Sequence, residues 1–321
     1  MGTRTKSSNP DRLQLQPKLS VNVSSLPMMN ALEGIRANPV ARQFDIGDLL
    51  FAQFACPGNI GIWTQTDHLI HVLTGKSTWK TASRTWSIAA GEAVYVKKGA
   101  YVLPEHFDDD YCVQVFFIPD TFIKATVIEL APVLRDVLQP VDSNDLLIRI
   151  NFDTGLSAFF SAMSIYFAGD EDPPAALLKL KLRELLTSIL VGQGNPALST
   201  YLRQVAASGS PSVAAIMEMN FYHNLSLAAF AKMCHRSLSS FKRDFRNLYG
   251  VSPGKWLLGK RLERAASLLH TSALSVTEVI FECGFEDVSH FSRAFKERFN
   301  YSPSAYRQAS RSRAVAARMD R

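Results

Sequence analysis

The chain has 321 residues, a hydrophobic fraction of 47%, and 35 basic against 29 acidic residues, which gives a formal net charge of +6. No apolar run approaches the roughly 18–20 residues that a membrane span needs, so the composition argues against a membrane protein. The polar start MGTRTKSSNPDRLQLQ has no apolar core, and we interpret it as a mobile tail rather than a secretory signal. The scattered cysteines argue against a zinc ribbon or a disulfide framework and fit the cytoplasm; they are Cys56, Cys112, Cys234 and Cys283.

The charge is concentrated at the C-terminal end. Residues 210–321 carry a net charge of +8, whereas the rest of the chain carries −2. A basic third beside a near-neutral remainder is typical of a polyanion-binding module joined to another domain. On charge alone, a chance basic patch explains the same numbers equally well.

Residues 45–120 have the pattern of short strands. Segments such as HLIHVLTGKSTWKT and YCVQVFFIP are rich in β-branched and aromatic residues, and Gly, Pro, Asn and Asp interrupt them every 8–12 residues. This spacing predicts an antiparallel barrel or sandwich.

The apolar period becomes helical from Thr121. In PAALLKLKLRELLTSILVG, an apolar stripe could pair with a second copy of the chain or pack on the chain's own barrel; the stripe comprises Leu178, Leu182, Leu185 and Ile189. Residues 196–212 are rich in Gly, Ser and Pro and are predicted to form a linker with a short helix in its middle. From Val213 to about Ala309 the pattern is helical throughout.

Two segments of this helical region repeat each other. FKRDFRNLYGVSP begins at Phe241, and FSRAFKERFNYSP begins fifty residues later at Phe291. On a helical wheel each segment has an apolar back and a front of small polar and basic side chains. The backs are Leu238, Phe241, Phe245, Leu248 and Tyr249 in the first helix and Val288, Phe291, Phe295 and Phe299 in the second. Each helix follows a shorter one across a tight turn, as in a helix-turn-helix unit.

The ends of these helices carry local signals. His235 and Gly284 occupy the two turns, and Gly284 suits a left-handed bend better. Gly250 and Asn300 are the residue types that best accept the left-handed position after a helix. Ser252-Pro253 and Ser302-Pro303 can then begin the next helix, and Ser275 with Glu278 matches a capping box. The segment GKWLLGKRLERAASLLH is long enough to join the units as one rigid helix.

The stretch from Val213 to Arg307 resembles the DNA-binding domain of the AraC/XylS family of transcription regulators. The second unit, GFEDVSHFSRAFKERFNYSPSAYR, carries the signature of that family, with Asn300 in place of the usual Gly. The resemblance implies an α+β multidomain protein with an N-terminal cupin-like antiparallel β-barrel, dimerisation helices and a C-terminal all-α tandem helix-turn-helix domain. The implied boundaries are a flexible tail (1–44), a regulatory and dimerisation domain (45–195), a linker (196–212), a DNA-binding domain (213–309) and a basic tail (310–321).

The resemblance also implies which side chains contact DNA. Base contacts fall on the exposed early part of each recognition helix, at Ser239, Ser240, Lys242 and Arg243 and at Ser289, His290 and Arg293. Arg246 and Lys296, one turn further on, are the implied phosphate contacts. Arginine can bind guanine through two hydrogen bonds, and serine can contact either base type. For each position the alternative is an ordinary solvated side chain.

Other candidate sites are weaker. His68 and His71 are three residues apart and so lie on opposite faces of a strand. Lys97 and Lys98 replace the residues that a metal cupin tends to have, and His106 comes late, so we expect no metal and no cofactor. Cys234 and Cys283 occupy equivalent places in the two units and are expected to pack. An aromatic set could line a pocket or form plain core: Trp63, Trp79, Trp86, Tyr95 and Tyr101.

The sequence therefore predicts a sequence-specific, DNA-binding transcription regulator and not an enzyme. The resemblance implies an activator that binds promoter DNA and RNA polymerase, can form a homodimer, and receives its signal from a small molecule or a partner protein. The alternatives are a cupin-type metalloenzyme with an appended DNA-binding domain and an architectural DNA binder without sequence preference.

Overall fold

The computed structural model describes residues 28–55, 60–80, 85–103, 111–134, 145–208 and 211–309. The strands are β1 (Met28–Asn30), β2 (Arg42–Ile46), β3 (Leu49–Ala55), β4 (Ile60–Thr64), β5 (Asp67–Thr74), β6 (Lys76–Lys80), β7 (Thr85–Ala89), β8 (Ala93–Val96), β9 (Gly99–Leu103), β10 (Cys112–Ile118) and β11 (Leu147–Ile150). The helices of the N-terminal part are α1 (Ala31–Arg36), α2 (Asp120–Leu130), α3 (Thr154–Ala168), α4 (Ala175–Val191) and α5 (Pro196–Ala207). The C-terminal part contains α6 (Val213–Asn220), α7 (Leu227–Met233), α8 (Leu238–Tyr249), α9 (Pro253–Thr271), α10 (Val276–Glu282) and α11 (Val288–Phe299).

The strands form two sheets. Sheet A has the order β1-β4-β9-β6-β7, and sheet B has the order β11-β8-β5-β10-β3-β2. Strand β1 runs parallel to β4, whereas the other paired strands are antiparallel. A shared apolar core joins the inner faces, with Trp79 and Tyr101 from sheet A and Val72 and Phe117 from sheet B. Within the described residues neither sheet closes on itself, so the predicted barrel is corrected to a two-sheet sandwich.

A second core lies on the other face of sheet B. There Leu69 and Phe116 of the sheet pack against Phe159 of α3 and against α4. The apolar stripe of α4 is 0–1% exposed in this core; it comprises Leu178, Leu182, Leu185 and Ile189. Of the two alternatives for this stripe, pairing with a second copy or packing within its own domain, the structure shows the second, because the chain's own core covers it. Periodicity identified the buried face of the helix but not what buries it.

The structured region differs from the predicted boundaries at three places. Strand β1, helix α1 and most of strand β2 lie within residues 28–44, which were predicted to be tail. Helix α5 occupies most of the predicted linker 196–212, and β11 is a strand beyond the predicted β region. The other predicted tail residues, 1–27 and 310–321, lie outside the described residues, as does His106.

The C-terminal domain is helical, as predicted. Its first core joins α6, α7 and α8 and includes Leu257 of α9, and its second core joins α10 and α11 and includes Leu262 of α9. One helix of 19 residues thus contributes to both units. In the part of the chain that the structure describes, no helix is long and apolar enough to cross a bilayer.

Candidate nucleic-acid interface

Helix α8 is held by its cap, its back and its end. The Ser237 hydroxyl accepts a hydrogen bond from the Ser240 amide at 3.2 Å, which satisfies one free donor of the first turn. Phe241 and Phe245 are fully buried. The helix ends at Gly250, whose φ of 70° lies in the left-handed region. The cap, the two buried phenylalanines and Gly250 therefore determine which face of α8 is exposed, and all of these features can be recognised in the sequence.

Helix α11 is built in the same way with different residues. Asp287 accepts a hydrogen bond from the His290 amide at 2.7 Å, and the backbone bonds from His290 and Ser289 lower the pKa of its carboxyl group. Phe291 and Phe295 are fully buried, and Asn300 ends the helix with a φ of 62°. The predicted left-handed role of Asn300 is confirmed, and so is the capping box of Ser275 and Glu278 before α10.

The turns of the two units differ in their surroundings. His235 adopts a φ of 53° and is exposed, whereas Gly284 adopts a φ of 77° and is buried. A Cβ atom on Gly284 would lie 2.6 Å from the carbonyl oxygen of Tyr222. Left-handed backbone is therefore present in both turns, but only the second turn also requires the absence of a side chain.

The fronts of both helices face outward. Of the predicted contact residues, Ser240 is half-buried and the others are exposed; these are Ser239, Lys242, Arg243 and Arg246 on α8 and Ser289, His290, Arg293 and Lys296 on α11. The apolar backs are narrower than predicted, because Leu238, Leu248 and Val288 are 39%, 57% and 45% exposed. The packed part of each back centres on its two buried phenylalanines.

Arg243 has a carboxylate beside it. Its Nε lies 3.6 Å from Asp244 Oδ1, and Arg236 Nε lies 3.0 Å from the other oxygen of the same carboxylate. The position on α11 that matches Asp244 is Ala294, which is buried. The two recognition helices therefore present their leading arginines in different electrostatic settings.

Side chains of α9 tie the two units together. The Arg261 guanidinium donates to the carbonyl oxygens of Phe221 at 2.7 Å, His223 at 2.7 Å and Gly284 at 3.0 Å. Near the middle of α9, Lys260 pairs with Glu218 of α6, and Glu263 pairs with Arg298 of α11. Sequence reasoning missed Arg261, since carbonyl partners leave no mark in the sequence.

The first unit rests on sheet A. The Asn220 side chain at the end of α6 is fully buried and accepts a hydrogen bond from the Ala100 amide at 2.7 Å. His235 Nε2 lies 3.0 Å from the carbonyl oxygen of Gln65, and Trp63 packs into the core of the first unit. Sequence reasoning missed this contact surface, because its partners are more than 100 residues apart.

His68 and His71 lie on opposite faces of β5, as predicted. His68 lies on the inner face of sheet B and contacts Tyr101 of sheet A. His71 lies on the opposite face, which the helices cover, and contacts Gln114 and Phe160. Within the described ranges, no group of three or more His, Cys, Asp or Glu side chains could hold a metal ion.

The two cysteines of the helix-turn-helix units are packing residues, as predicted. Cys234 and Cys283 are fully buried. Burial raises the pKa of the Cys234 thiol to about 11 and that of Cys283 to about 12, so both stay protonated at neutral pH.

The predicted aromatic set is divided among three environments. Trp79 and Tyr101 line a cavity inside the sandwich, and Trp86 lies in the same core without lining the cavity. Trp63 packs on the first helix-turn-helix unit. Tyr95 lies on the helical side of sheet B and donates a hydrogen bond to Asp67.

Two family models match the chain. The ExsA N-terminal regulatory domain matches residues 67–201, and a helix-turn-helix domain matches residues 230–309. Among curated proteins, the chain is 23% identical over 241 residues to the virulence regulon transcriptional activator VirF of Yersinia enterocolitica, covering 75% of this chain and 89% of that protein. It is 26% identical over 239 residues to the transcriptional regulator ExsA of Pseudomonas aeruginosa (74% and 84% covered). It is 28% identical over 249 residues to the transcriptional activator RhaS of Salmonella schwarzengrund (74% and 81% covered).

The fold, the exposed basic helices and these matches define a DNA-binding transcription regulator rather than an enzyme. The chain belongs to the AraC/XylS family, with an ExsA-type regulatory domain before a tandem helix-turn-helix domain.

Proposed function

We propose that this chain is a transcriptional activator that reads promoter DNA with two recognition helices in successive major grooves. The observation that carries the proposal is the pair of helices α8 and α11, each with buried phenylalanines behind and basic and small polar side chains in front. The relatives VirF and RhaS are named as transcriptional activators, which supports the same sign of regulation.

The connecting helix supports two-site reading. Helix α9 has 19 residues, which corresponds to about 28 Å at 1.5 Å per residue. Successive major grooves on one face of DNA are about 34 Å apart. A single helix of this length, with both units packed against it, suits two contacts about one helical turn of DNA apart.

Each proposed DNA contact has a role. Arg243 and Arg293 bind guanine in adjacent half-sites, because both are exposed near the start of their helices. The nearby polar side chains supply further base contacts: Ser239, Ser240 and Lys242 on α8, and Ser289 and His290 on α11. Arg246 and Lys296 contact phosphates, since each lies one turn further from the start of its helix.

The first experiment is selection of bound fragments from a genomic library, followed by affinity measurements on the selected site. We expect Arg243→Ala and Arg293→Ala to cost about 1–3 kcal/mol each and to relax specificity at different base pairs. Arg246→Ala on the same helix is the matched comparison, and it should weaken all sequences alike and lower the salt dependence by about one ion. Lys179→Ala, at an exposed position of helix α4, should change nothing. Uniform weakening by Arg243→Ala would instead identify an architectural DNA binder.

The regulatory domain receives the signal and forms a homodimer in this proposal. Since the inner stripe of α4 is buried, the dimer surface is the outer face of α3 and α4, where Ile165 and Leu180 are 70% and 63% exposed. Ile165 and Leu177 line the same surface pocket, and Leu180 lies one turn beyond Leu177. Leu180→Glu should then shift the protein toward monomer in sedimentation velocity, whereas Lys179→Glu beside it should not. RNA polymerase is the proposed partner at the promoter, and the cytoplasm is the proposed location.

A further inference from the structure

A cavity lies between the two sheets of the regulatory domain. Its volume is about 380 Å³, which is within the range of small-molecule sites. Its lining is largely apolar and aromatic and includes Ile62, Ile70, Trp79, Tyr101, Val115 and Phe117. Met29 and Val40, which are 43% and 79% exposed, lie at its rim. The cavity therefore has apolar walls from both sheets and an edge that solvent reaches.

The polar groups of this cavity are few and uncharged. Among the described lining residues there is no Lys, Arg, Asp or Glu. His68 is 1% exposed, and burial lowers the pKa of its imidazole to about 4, so it is neutral at pH 7. His68 Nδ1 lies 3.4 Å from the Thr66 carbonyl oxygen, which can only accept a hydrogen bond. Nε2 is then the acceptor for the Tyr101 hydroxyl at 2.9 Å.

One donor in the cavity wall has no acceptor within the described residues. The Trp79 side chain is 2% exposed, and its indole Nε1 makes no hydrogen bond there. The indole ring stacks on Tyr101 with the ring centroids 5.1 Å apart, which fixes its orientation. A buried N–H group without an acceptor costs free energy, and a ligand oxygen would recover it.

We propose that this cavity binds a neutral, largely apolar small molecule that accepts a hydrogen bond from Trp79 Nε1. A carboxylate is disfavoured, because the described lining offers no cation to offset the loss of its hydration. A sugar is disfavoured as well, since the described wall offers few polar partners for its several hydroxyl groups. The inference deepens the proposed function, on which it rests, by naming the chemical class of the signal.

Sheet A connects this cavity to the DNA-binding domain. On β9, Tyr101 lines the cavity, while the neighbouring Ala100 packs on the first helix-turn-helix unit and donates its amide to Asn220. On β4, Ile62 lines the cavity and Trp63 packs on the same unit. Adjacent residues of a strand point to opposite faces of the sheet. The backbone of sheet A is therefore all that separates the cavity from the first helix-turn-helix unit at these positions. A ligand that shifts β4 or β9 therefore changes how the first unit is held.

The ligand class is tested with three probes of similar shape: benzophenone, diphenylmethane and diphenylacetate. Benzophenone carries a neutral carbonyl acceptor, diphenylmethane lacks an acceptor, and diphenylacetate is anionic. In calorimetric titrations of the full chain we expect benzophenone to bind about fivefold more tightly than diphenylmethane, the factor that one hydrogen bond supplies. Diphenylacetate should bind more weakly than either. Equal or tighter binding of diphenylacetate, or no binding of benzophenone, overturns the proposal.

Trp79→Phe tests the donor while keeping an aromatic ring. It should abolish the preference for benzophenone over diphenylmethane. Trp86→Phe is the matched control, because Trp86 belongs to the same core but does not line the cavity, and it should keep the preference. Benzophenone also inserts into nearby C–H bonds under ultraviolet light, so peptide mapping should find it on the segments that line the cavity, which are β1, α1, β3, β4, β5, β6, β9 and β10. Labels confined to other segments contradict the assignment, as does a preference that survives Trp79→Phe.

The coupling is tested by reciprocity. If benzophenone changes the affinity for a selected DNA site by some factor, the same DNA must change the affinity for benzophenone by that factor. We expect a change of about fivefold or more, which Asn220→Ala should reduce. Benzophenone binding with no change in DNA affinity overturns the coupling. If the chain selects no DNA sequence either with or without benzophenone, the proposed function is contradicted. The ligand class is then still decided by the probe titrations and by the labelling.

Discussion

The two helix-turn-helix units share one plan but differ in what surrounds them. The first unit contacts sheet A through Asn220, and His235 in its turn contacts the Gln65 carbonyl oxygen beside that sheet. The second unit is supported by the first, because Gly284 lies against Tyr222 and its carbonyl binds Arg261. A displacement of sheet A would therefore reach the first unit directly and the second unit only through the first.

The largest expected effect is at the turn of the second unit. Gly284→Ala combines left-handed backbone with a Cβ atom 2.6 Å from the Tyr222 oxygen, so we expect a loss of about 4 kcal/mol in the free energy of unfolding. Gly250→Ala is the matched control, since Gly250 has a similar φ of 70° but no atom within 4 Å of the added Cβ, and should cost about 1–2 kcal/mol. Urea unfolding measures both. Equal losses would show that the close approach at Gly284 is unimportant.

The next effect concerns the support of the first unit. Asn220→Ala leaves the buried Ala100 amide without its acceptor, so the contact between sheet A and α6 should weaken by about 3 kcal/mol. Hydrogen exchange should then speed up at Ala100 while the amides of α11 keep their protection. Faster exchange in both units would mean that sheet A supports both units and not the first alone.

Acid should weaken the contact between the two sheets, where His68 of β5 is hydrogen-bonded to Tyr101 of β9. The His68 pKa is lowered by burial from 6.5 to about 4, so the folded chain binds no proton there until well below the pH at which the unfolded chain does. Stability contributed by neutral His68 is present above pH 6.5 and is lost as the pH falls toward 4. Between pH 7 and pH 5 the loss is about 2 kcal/mol. Urea titrations should show this slope, and His68→Gln should reduce it by that amount; His223, whose pKa burial lowers to about 3, contributes a slope of the same sign that remains. An unchanged slope in the variant would assign the effect elsewhere.

The smallest effect lies at the helix ends. Asn300 and Gly250 occupy the same left-handed position, so Asn300→Gly should stabilise the second unit by about 0.5 kcal/mol and Gly250→Asn should cost the first about as much. Thermal unfolding of the two single variants and the double variant measures this exchange. A double variant that departs from the sum would show that the ends of α8 and α11 are coupled.

Sequence reasoning succeeded where structure is determined by neighbours along the chain. The ends of α8 and α11 and the capping box at Ser275 were predictable because each depends on residues within a few positions. Sequence reasoning could not decide between two structures where one residue pattern fits both. The stripe of α4 fitted a dimer or a domain core, and the strand spacing fitted a barrel or a sandwich.

Long-range partners were the part that the sequence did not indicate. Ala100 and Asn220 are 120 residues apart, and nothing near either residue announces the other. Strand β1 was missed for a similar reason: it has three residues, and it forms by pairing with β4 more than thirty positions away. The exposed contact residues were predicted correctly as surface, since exposure follows from helical period, but the carboxylate of Asp244 beside Arg243 was not recognised.

Arg261 has a consequence for how the domain loses its structure. A single side chain of α9 binds the segment between α6 and α7 at two carbonyls and the turn of the second unit at a third. Neither unit can separate from the connector without breaking these partly buried hydrogen bonds, so partial melting is costly from either end. The two helix-turn-helix units should therefore unfold in a single cooperative step. A proteolytic nick or a destabilising substitution in one unit should abolish DNA binding by both.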